Sequence, residues 1–409
     1  MRRVVITGLG VVSPIGNNVN DMWDSVKAGK CGIDKITAYD ATDRKVTLAG
    51  EVKNLVLEDY VDKKELRKMD RFSAFAVIAA DEAIKDAGIT FEKDDFRSGV
   101  IVSSGIGGIS TLEKDYSAGL EKGFDRTSPF FIPSVISNMA AGRIAINHGI
   151  RGMCSCVVTA CAGATNAIGD SFRQIRDGYA DVMVCGGAEA AITPLCIGGF
   201  TTMKALCTST DPNRASIPFD KERSGFVMGE GAGILVIEEL EHALKRNAKI
   251  YGELVGYGAN CDAYHITAPS ADGSGAAGCM SMAIADAGIT PDDIDYINAH
   301  GTSTPMNDKC ETLAVKLAFG DAAKSVKISS TKSMTGHLLG ASGAIEAVIT
   351  TLSVKNDFAP ATINYQVEDE ECDLDVIKNE GLNMPIEYAM SNSLGFGGHN
   401  ASIIIKKYQ

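Results

Sequence analysis

Cys161 lies in the segment Val157-Val158-Thr159-Ala160-Cys161-Ala162-Gly163, between a β-branched run and a stretch whose apolar residues Ile168, Phe172 and Ile175 recur at helical spacing. That pattern predicts a strand-to-helix elbow with the thiol at a helix N-terminus. The helix dipole and free N–H groups there favour thiolate and can receive a developing oxyanion. Ten other cysteines show that a thiol in this chain can equally be a small core residue. The histidines bear on the choice. Only six occur, and two lie in glycine- and hydroxyl-rich segments: His300 in Asn298-Ala299-His300-Gly301-Thr302-Ser303-Thr304-Pro305, and His337 in Thr331-Lys332-Ser333-Met334-Thr335-Gly336-His337. A cysteine joined by two histidines from distant sequence suits acyl transfer, in which one group activates or balances charge and others donate to an enolate or thioester oxygen. His148, His242 and His265 are expected at the surface or in structural roles.

The elements that must position these residues follow an α/β pattern, short apolar runs alternating with amphipathic stretches. Glycine-rich turns follow the expected strands, as in Ser103-Ser104-Gly105-Ile106-Gly107-Gly108, Cys185-Gly186-Gly187 and Gly395-Phe396-Gly397-Gly398. Laid on itself with a shift of 200 residues, the chain matches Asp81–Thr90 (DEAIKDAGIT) to Ser281–Thr290 (SMAIADAGIT). Each copy reads as a helix closed by a left-handed glycine, Gly88 or Gly288, then an acidic turn and a strand. Two topologically similar halves are therefore expected, roughly 1–250 and 251–409, with the cysteine in the first and both histidines in the second. The longer first half should carry the insertions. Segment 109–150 is expected to be one, its Phe130-Phe131-Ile132-Pro133 serving as a substrate wall or subunit interface, or as a plain core loop.

The chain has 409 residues and eleven cysteines, an odd number without paired spacing. Such a length allows a large core without disulfides, and the cysteines point to a reducing compartment with mostly buried thiols. Cys154 and Cys156 lack partners at metal-site spacing and are expected in the core. No apolar run is long enough for a signal peptide or a membrane span, so a cytoplasmic protein with no membrane partner is predicted. A net charge of −13 disfavours nucleic acid, and an acidic partner would need a local basic patch. Lys63-Lys64-Glu65-Leu66-Arg67-Lys68, with Lys122, Arg126 and Lys204, is either that patch or a solvated helix face. Gly8-Leu9-Gly10 opens like a dinucleotide fingerprint, but Ser13 stands where its third glycine belongs, and there is no P-loop.

Taken with Pro218-Phe219-Asp220, Arg223, Gly225–Gly231 and Asn392-Ser393-Leu394-Gly395-Phe396-Gly397-Gly398, these segments resemble the beta-ketoacyl-acyl-carrier-protein synthases of the thiolase-like superfamily, type II synthases most of all, along essentially the whole chain. The resemblance implies a duplicated, five-layered α/β/α/β/α fold and a Cys161-His300-His337 triad. Thiolases would show a second cysteine near the C-terminus, and type III synthases an asparagine in place of His337. It further implies that Cys161 accepts an acyl group from the phosphopantetheine of acyl carrier protein, and that the N–H groups of Cys161 and Phe396 form the oxyanion hole. His300 and His337 would then hold malonyl carrier protein's thioester carbonyl while it loses carbon dioxide. No metal or organic cofactor is required.

The same resemblance makes Thr302 and Thr304 pantetheine contacts, Phe396 a gate, and Ile106 the far end of an acyl tunnel at a homodimer interface. It sets Lys332 beside the triad with Asp308 and Glu311 as partners and Glu346 in support, organising charge or forming a plain ion pair. The basic cluster becomes the carrier-docking surface. His399, where many relatives have threonine, is expected to be a tolerated variant and not a third catalytic histidine. A non-catalytic chain-length partner is disfavoured by Cys161 itself and a cysteine hydrolase by the two histidines. A polyketide-type ketosynthase remains open.

Overall fold

The computed structural model describes residues 1–409. Its first half contains β1 (Val4–Val12), α1 (Arg71–Ala87), β2 (Ser98–Ser103), α2 (Met139–His148), β3 (Cys154–Ser155), α3 (Gly163–Arg176), β4 (Val182–Glu189) and β5 (Gly231–Glu239). Its second contains β6 (Gly252–Cys261), α4 (Ser274–Ala287), β7 (Tyr296–Asn298), α5 (Pro305–Phe319), β8 (Lys327–Ser329), α6 (Ser342–Asn356), β9 (Tyr388–Gly395) and β10 (His399–Lys406). The ten strands run in the order β8-β7-β9-β10-β6-β1-β5-β4-β2-β3. Read outwards from the central β6–β1 pair, both directions give the same sequence of elements with the same polarities: two antiparallel pairings, then two parallel ones.

Between the halves β1 and β6 share only a three-residue antiparallel ladder, Val4–Ile6 against Gly252–Leu254. α3 and α6 touch each other and strands of both halves, which makes them a middle layer; α1 and α2 cover one outer face and α4 and α5 the other. The result is the expected five-layered arrangement. Strands covered on both faces must be apolar throughout, and β1, β2 and β4 are buried at every position.

The duplication extends to packing detail. A Cβ on Gly8 or Gly10 would lie 2.1 Å from Ala83 O or 1.9 Å from Ala79 O, so α1 packs directly on the backbone of β1. In the second half, Gly256 and Gly258 meet Ala283 O and Cys279 O of α4 at 2.4 and 2.1 Å. Asp86 accepts the Leu9 N–H at 3.1 Å, and Asp286 accepts that of Tyr257 at 3.0 Å. Gly88 and Gly288 close α1 and α4 in the left-handed conformation, at φ 62° and 68°. Gly8 and Gly10 are thus helix-packing glycines, not a nucleotide loop.

Two expectations need correction. Segment 109–150 is not wholly an insertion: the helix Ile109–Lys122 and the turn Phe131–Val135 have no counterpart in the second half, but α2 occupies the place of α5. Cys154 is exposed and Cys156 half-buried, because β3 pairs only with β2 and leaves its other edge open. All eleven cysteines are free, and six are buried.

Candidate active site

Cys161 sits in a single 3₁₀ turn, Ala160–Ala162, immediately before α3. The preceding Val157–Val158 does not join a strand; β3 stops at Ser155. Ala160 has φ 49°, an unfavourable conformation for a side chain bearing Cβ and one that persists where the surroundings impose it. Ser303 (φ 70°), Phe219 (φ 66°) and Leu339 (φ 49°) are held likewise close by. The far wall is the end of β9. A Cβ on Gly395 would come within 2.8 Å of Thr159 O and 3.2 Å of Cys161 N, so glycine lets this strand seat Phe396 against the cysteine turn. The Phe396 N–H is near enough to the Cys161 sulfur to favour its thiolate.

The two histidines arrive from the second half on loops fixed by their own backbones. After β7, the N–H groups of His300 and Gly301 each donate to Glu311 of α5 at 2.8 Å, and Ser330 donates to Gly301 O at 2.6 Å. His337 donates its N–H to Val227 O at 2.7 Å and accepts from Gly229 N–H at 2.8 Å. The imidazoles stand edge to face, centroids 5.2 Å apart at 86°, and Phe226 packs edge-on against His337 at 5.2 Å. Cys161, His300, His337, Thr302, Thr304, Phe396, Ile106 and Lys204 all line one cavity of about 610 Å³. The hydroxyls of Thr302 and Thr304 are 2.9 Å apart.

Ser342, five residues after His337, carries no signal in the sequence. Its Oγ lies 2.7 Å from His337 Nδ1 and accepts the Leu338 N–H at 2.8 Å. The serine is buried, and its hydroxyl has no other acceptor. Donation to Nδ1 satisfies it, whereas accepting from an Nδ1–H would strand its proton. The pair therefore sets His337 as the tautomer with a proton on Nε2. His300 Nδ1 has no partner.

Burial pushes both imidazoles well below their usual range, and the Lys332 charge pushes in the same direction, so both are neutral donors or acceptors. Burial pushes the Cys161 thiol up to about 12, with the Lys332 charge and the Phe396 N–H opposing it and the Glu189 charge adding to it. At rest the residue is a thiol; desolvation outweighs the thiolate preference expected of the elbow.

Lys332 lies behind the cavity, fully buried, and its ammonium donates to Glu346, not to Asp308 or Glu311 as expected. Asp308 instead accepts the Phe219 N–H at 2.9 Å and lies 3.6 Å from Arg223 Nε, while Glu311 holds the His300 loop. Burial raises Glu311 and Glu346 to about 7, opposed by the Lys332 charge. No group of three or more His, Cys, Asp or Glu side chains is arranged to hold a metal ion. Lys63, Lys64, Arg67, Lys122, Arg126 and Lys204 are exposed and outside every ion pair; Lys68 pairs with Glu65 at 2.6 Å. His148 and His242 bond Asp81 and Glu238, His265 caps its own loop, and His399 packs on Gly397 outside the cavity lining. Phe200, Phe226, Leu339 and Asp262 line the cavity without any periodicity that marks them in the sequence.

Comparison with known proteins agrees with this geometry. Residues 1–243 match the model of the beta-ketoacyl synthase N-terminal domain, and residues 251–366 that of its C-terminal domain. The chain belongs to the beta-ketoacyl synthase family. It is 52% identical over 410 residues to 3-oxoacyl-[acyl-carrier-protein] synthase 2 of Synechocystis sp., and 52% identical over 409 residues to the same-named enzyme of Staphylococcus aureus, covering 100% of this chain and 99% of each relative. Among solved structures, a type II polyketide ketosynthase in complex with its acyl carrier protein and bound to a hexaketide superposes with TM-score 0.92 at 38% identity. A beta-ketoacyl synthase from Burkholderia phymatum superposes with TM-score 0.92 at 34%; both comparisons cover 100% of each chain.

Proposed function

We propose that this beta-ketoacyl synthase condenses an acyl group carried on acyl carrier protein with malonyl carrier protein, lengthening fatty acyl chains by two carbons. The observation that carries this is the convergence of the Cys161 thiol, two neutral imidazoles and the Phe396 N–H on one largely apolar cavity. The Cys161 sulfur attacks the acyl thioester carbonyl; its carbon–sulfur bond forms while that to pantetheine breaks, and the thiol proton leaves with the departing carrier. The N–H groups of Cys161 and Phe396 hold the oxyanion.

Malonyl thioester then enters past Thr302 and Thr304. His337, through its Nε2–H, and His300 hydrogen-bond the thioester oxygen, so the electron pair left on the malonyl carbon when carbon dioxide departs is held as an enolate. The enolate carbon attacks the acyl carbonyl, the bond to the Cys161 sulfur breaks, and the departing thiolate takes a proton from solvent to restore the resting thiol. Decarboxylation supplies the carbanion, so the chemistry needs no metal or organic cofactor. Lys332, paired with Glu346, supplies the nearby positive charge.

The carrier docks by charge complementarity on Lys63, Lys64, Arg67 and Lys68, with Lys122, Arg126 and Lys204 extending the surface. A homodimer is supported by the open edge of β3 beside exposed Ile146, Met153 and Val158, and would bring Ile106 to the interface. The division at 250/251 separates two copies of one ancestral unit. We place the enzyme in the cytoplasm; no helix is long and apolar enough to cross a membrane.

Incubation with acyl and malonyl carrier proteins should give carbon dioxide and a 3-oxoacyl chain two carbons longer. Hydrolysed acyl groups with no elongated product would overturn the assignment.

A further inference from the structure

We propose that Glu189, at the end of β4, is a positioning residue that sets acyl-chain selectivity by tying together two walls of the cavity. The proposal rests on the condensing function above. Oε1 of this fully buried carboxyl accepts the Ser104 hydroxyl at 2.9 Å and the Ile106 N–H at 3.2 Å; Oε2 accepts the Gly105 N–H at 2.8 Å and the Gly340 N–H at 3.0 Å. Ile106 on one side and Leu339, beside Gly340, on the other both line the cavity that holds Cys161. One carboxyl group thus bridges the segment carrying the acyl-pocket residue and the segment carrying His337.

All four partners donate, a pattern that a carboxylate satisfies and a carboxylic acid does not. No cationic side chain bonds Glu189, so its hydrogen-bonding capacity is spent on backbone and one hydroxyl. The approach is close enough to exclude side chains. A Cβ on Gly340 would fall 2.3 Å from Gly105 N and 2.8 Å from Glu189 Oε2, and one on Gly105 would fall 2.9 Å from the same oxygen. The two segments meet backbone to backbone across the carboxylate, and a change in its bonding must move Ile106 relative to Leu339. Burial raises the pKa of the Glu189 carboxyl and the four donated bonds oppose that; as an anion it disfavours the Cys161 thiolate, in company with Glu346 and against Lys332.

Glu189→Gln replaces one acceptor oxygen by an amide that confronts N–H donors, loosening the clamp without changing side-chain volume. Ser104→Ala removes one donor and leaves the charge. The measurement is kcat/KM for acylation of Cys161 by hexanoyl and palmitoyl pantetheine thioesters, in full-length enzyme shown to be folded by circular dichroism.

The expected result is a palmitoyl-to-hexanoyl ratio raised about fivefold or more in Glu189→Gln, and raised less in Ser104→Ala. Alkylation of Cys161 by iodoacetamide at pH 8 should also accelerate about threefold in Glu189→Gln and not in Ser104→Ala, which loosens the same clamp but keeps the charge. A ratio unchanged, or shifted toward the shorter chain, in the folded variants overturns the proposal. If Glu189→Gln fails to fold, the ratio in Ser104→Ala decides. Failure of both thioesters to acylate the unsubstituted enzyme would contradict the condensing function itself, and this inference with it.

Discussion

The Ser342 hydroxyl lies 2.7 Å from His337 Nδ1 and also accepts the Leu338 N–H, and this fixes which nitrogen of His337 carries the proton facing the cavity. A donor at Nε2 is what an enolate oxygen requires; an acceptor there would repel it. Ser342→Ala should therefore slow malonyl decarboxylation by about 10-fold or more while KM changes little, and Ser342→Thr should retain most of the rate. Assaying carbon dioxide release from malonyl pantetheine checks both, and nitrogen NMR of labelled histidine would show loss of the single tautomer in Ser342→Ala.

Because burial and the Lys332 charge hold His300 and His337 well below the ordinary histidine range, neither should take up a proton as pH falls from 8 to 6. A depressed imidazole pKa keeps the neutral ring populated to lower pH, so the nitrogen NMR shifts of both imidazoles should stay those of neutral rings from pH 8 to 6. Shifts moving to those of imidazolium near 6.5 would contradict neutral, buried histidines; the rate is not the readout, because Glu311 and Glu346 titrate at about 7 beside the same groups.

Lys332 and Glu346 form an ion pair that is almost wholly out of solvent, 1% and 3% exposed. Removing only the cation leaves an uncompensated carboxylate. Lys332→Met should destabilise the fold by about 3–5 kcal/mol at pH 8, measured by urea denaturation. The loss should shrink at lower pH, where Glu346 takes a proton and is no longer a buried charge.

The basic cluster offers a separate test. Reversing Lys63, Lys64, Arg67 and Lys68 to glutamate should raise KM for carrier-bound substrates about 10-fold and leave the reaction with small pantetheine thioesters unchanged. Equal effects on both substrates would return the cluster to a solvated face.

Much of the fold could be read from the chain because its signals are local. The repeated helix, left-handed glycine and strand at 81–90 and 281–290 gave the duplication, and the structure carries it down to Asp86 and Asp286 bonding equivalent strand positions. His300 and His337 stand out because histidine is scarce in this chain and both lie in glycine-rich segments; Cys161, one of eleven cysteines, stands out only by its place before a helix. What remained hidden depends on which surfaces meet. The partner of Lys332 is Glu346, one helix away, and not Asp308, which is turned to Arg223; sequence distance does not distinguish them. The state of Cys161 is hidden for a related reason: a helix N-terminus is visible in sequence, but the burial that outweighs it is not. A signal for Glu189 did exist, a lone charge ending the apolar strand Val182–Glu189, but its bonds reach loops on two sides.

The central claim is that the sulfur of Cys161 carries the acyl chain. Its most direct test is intact-protein and peptide mass spectrometry after brief incubation with acyl carrier protein loaded with a saturated chain, malonyl substrate being withheld. The expected result is one acyl adduct per chain, located on the peptide containing Cys161 and discharged when malonyl carrier protein is added. An adduct on another residue, or none on the folded enzyme, would contradict it.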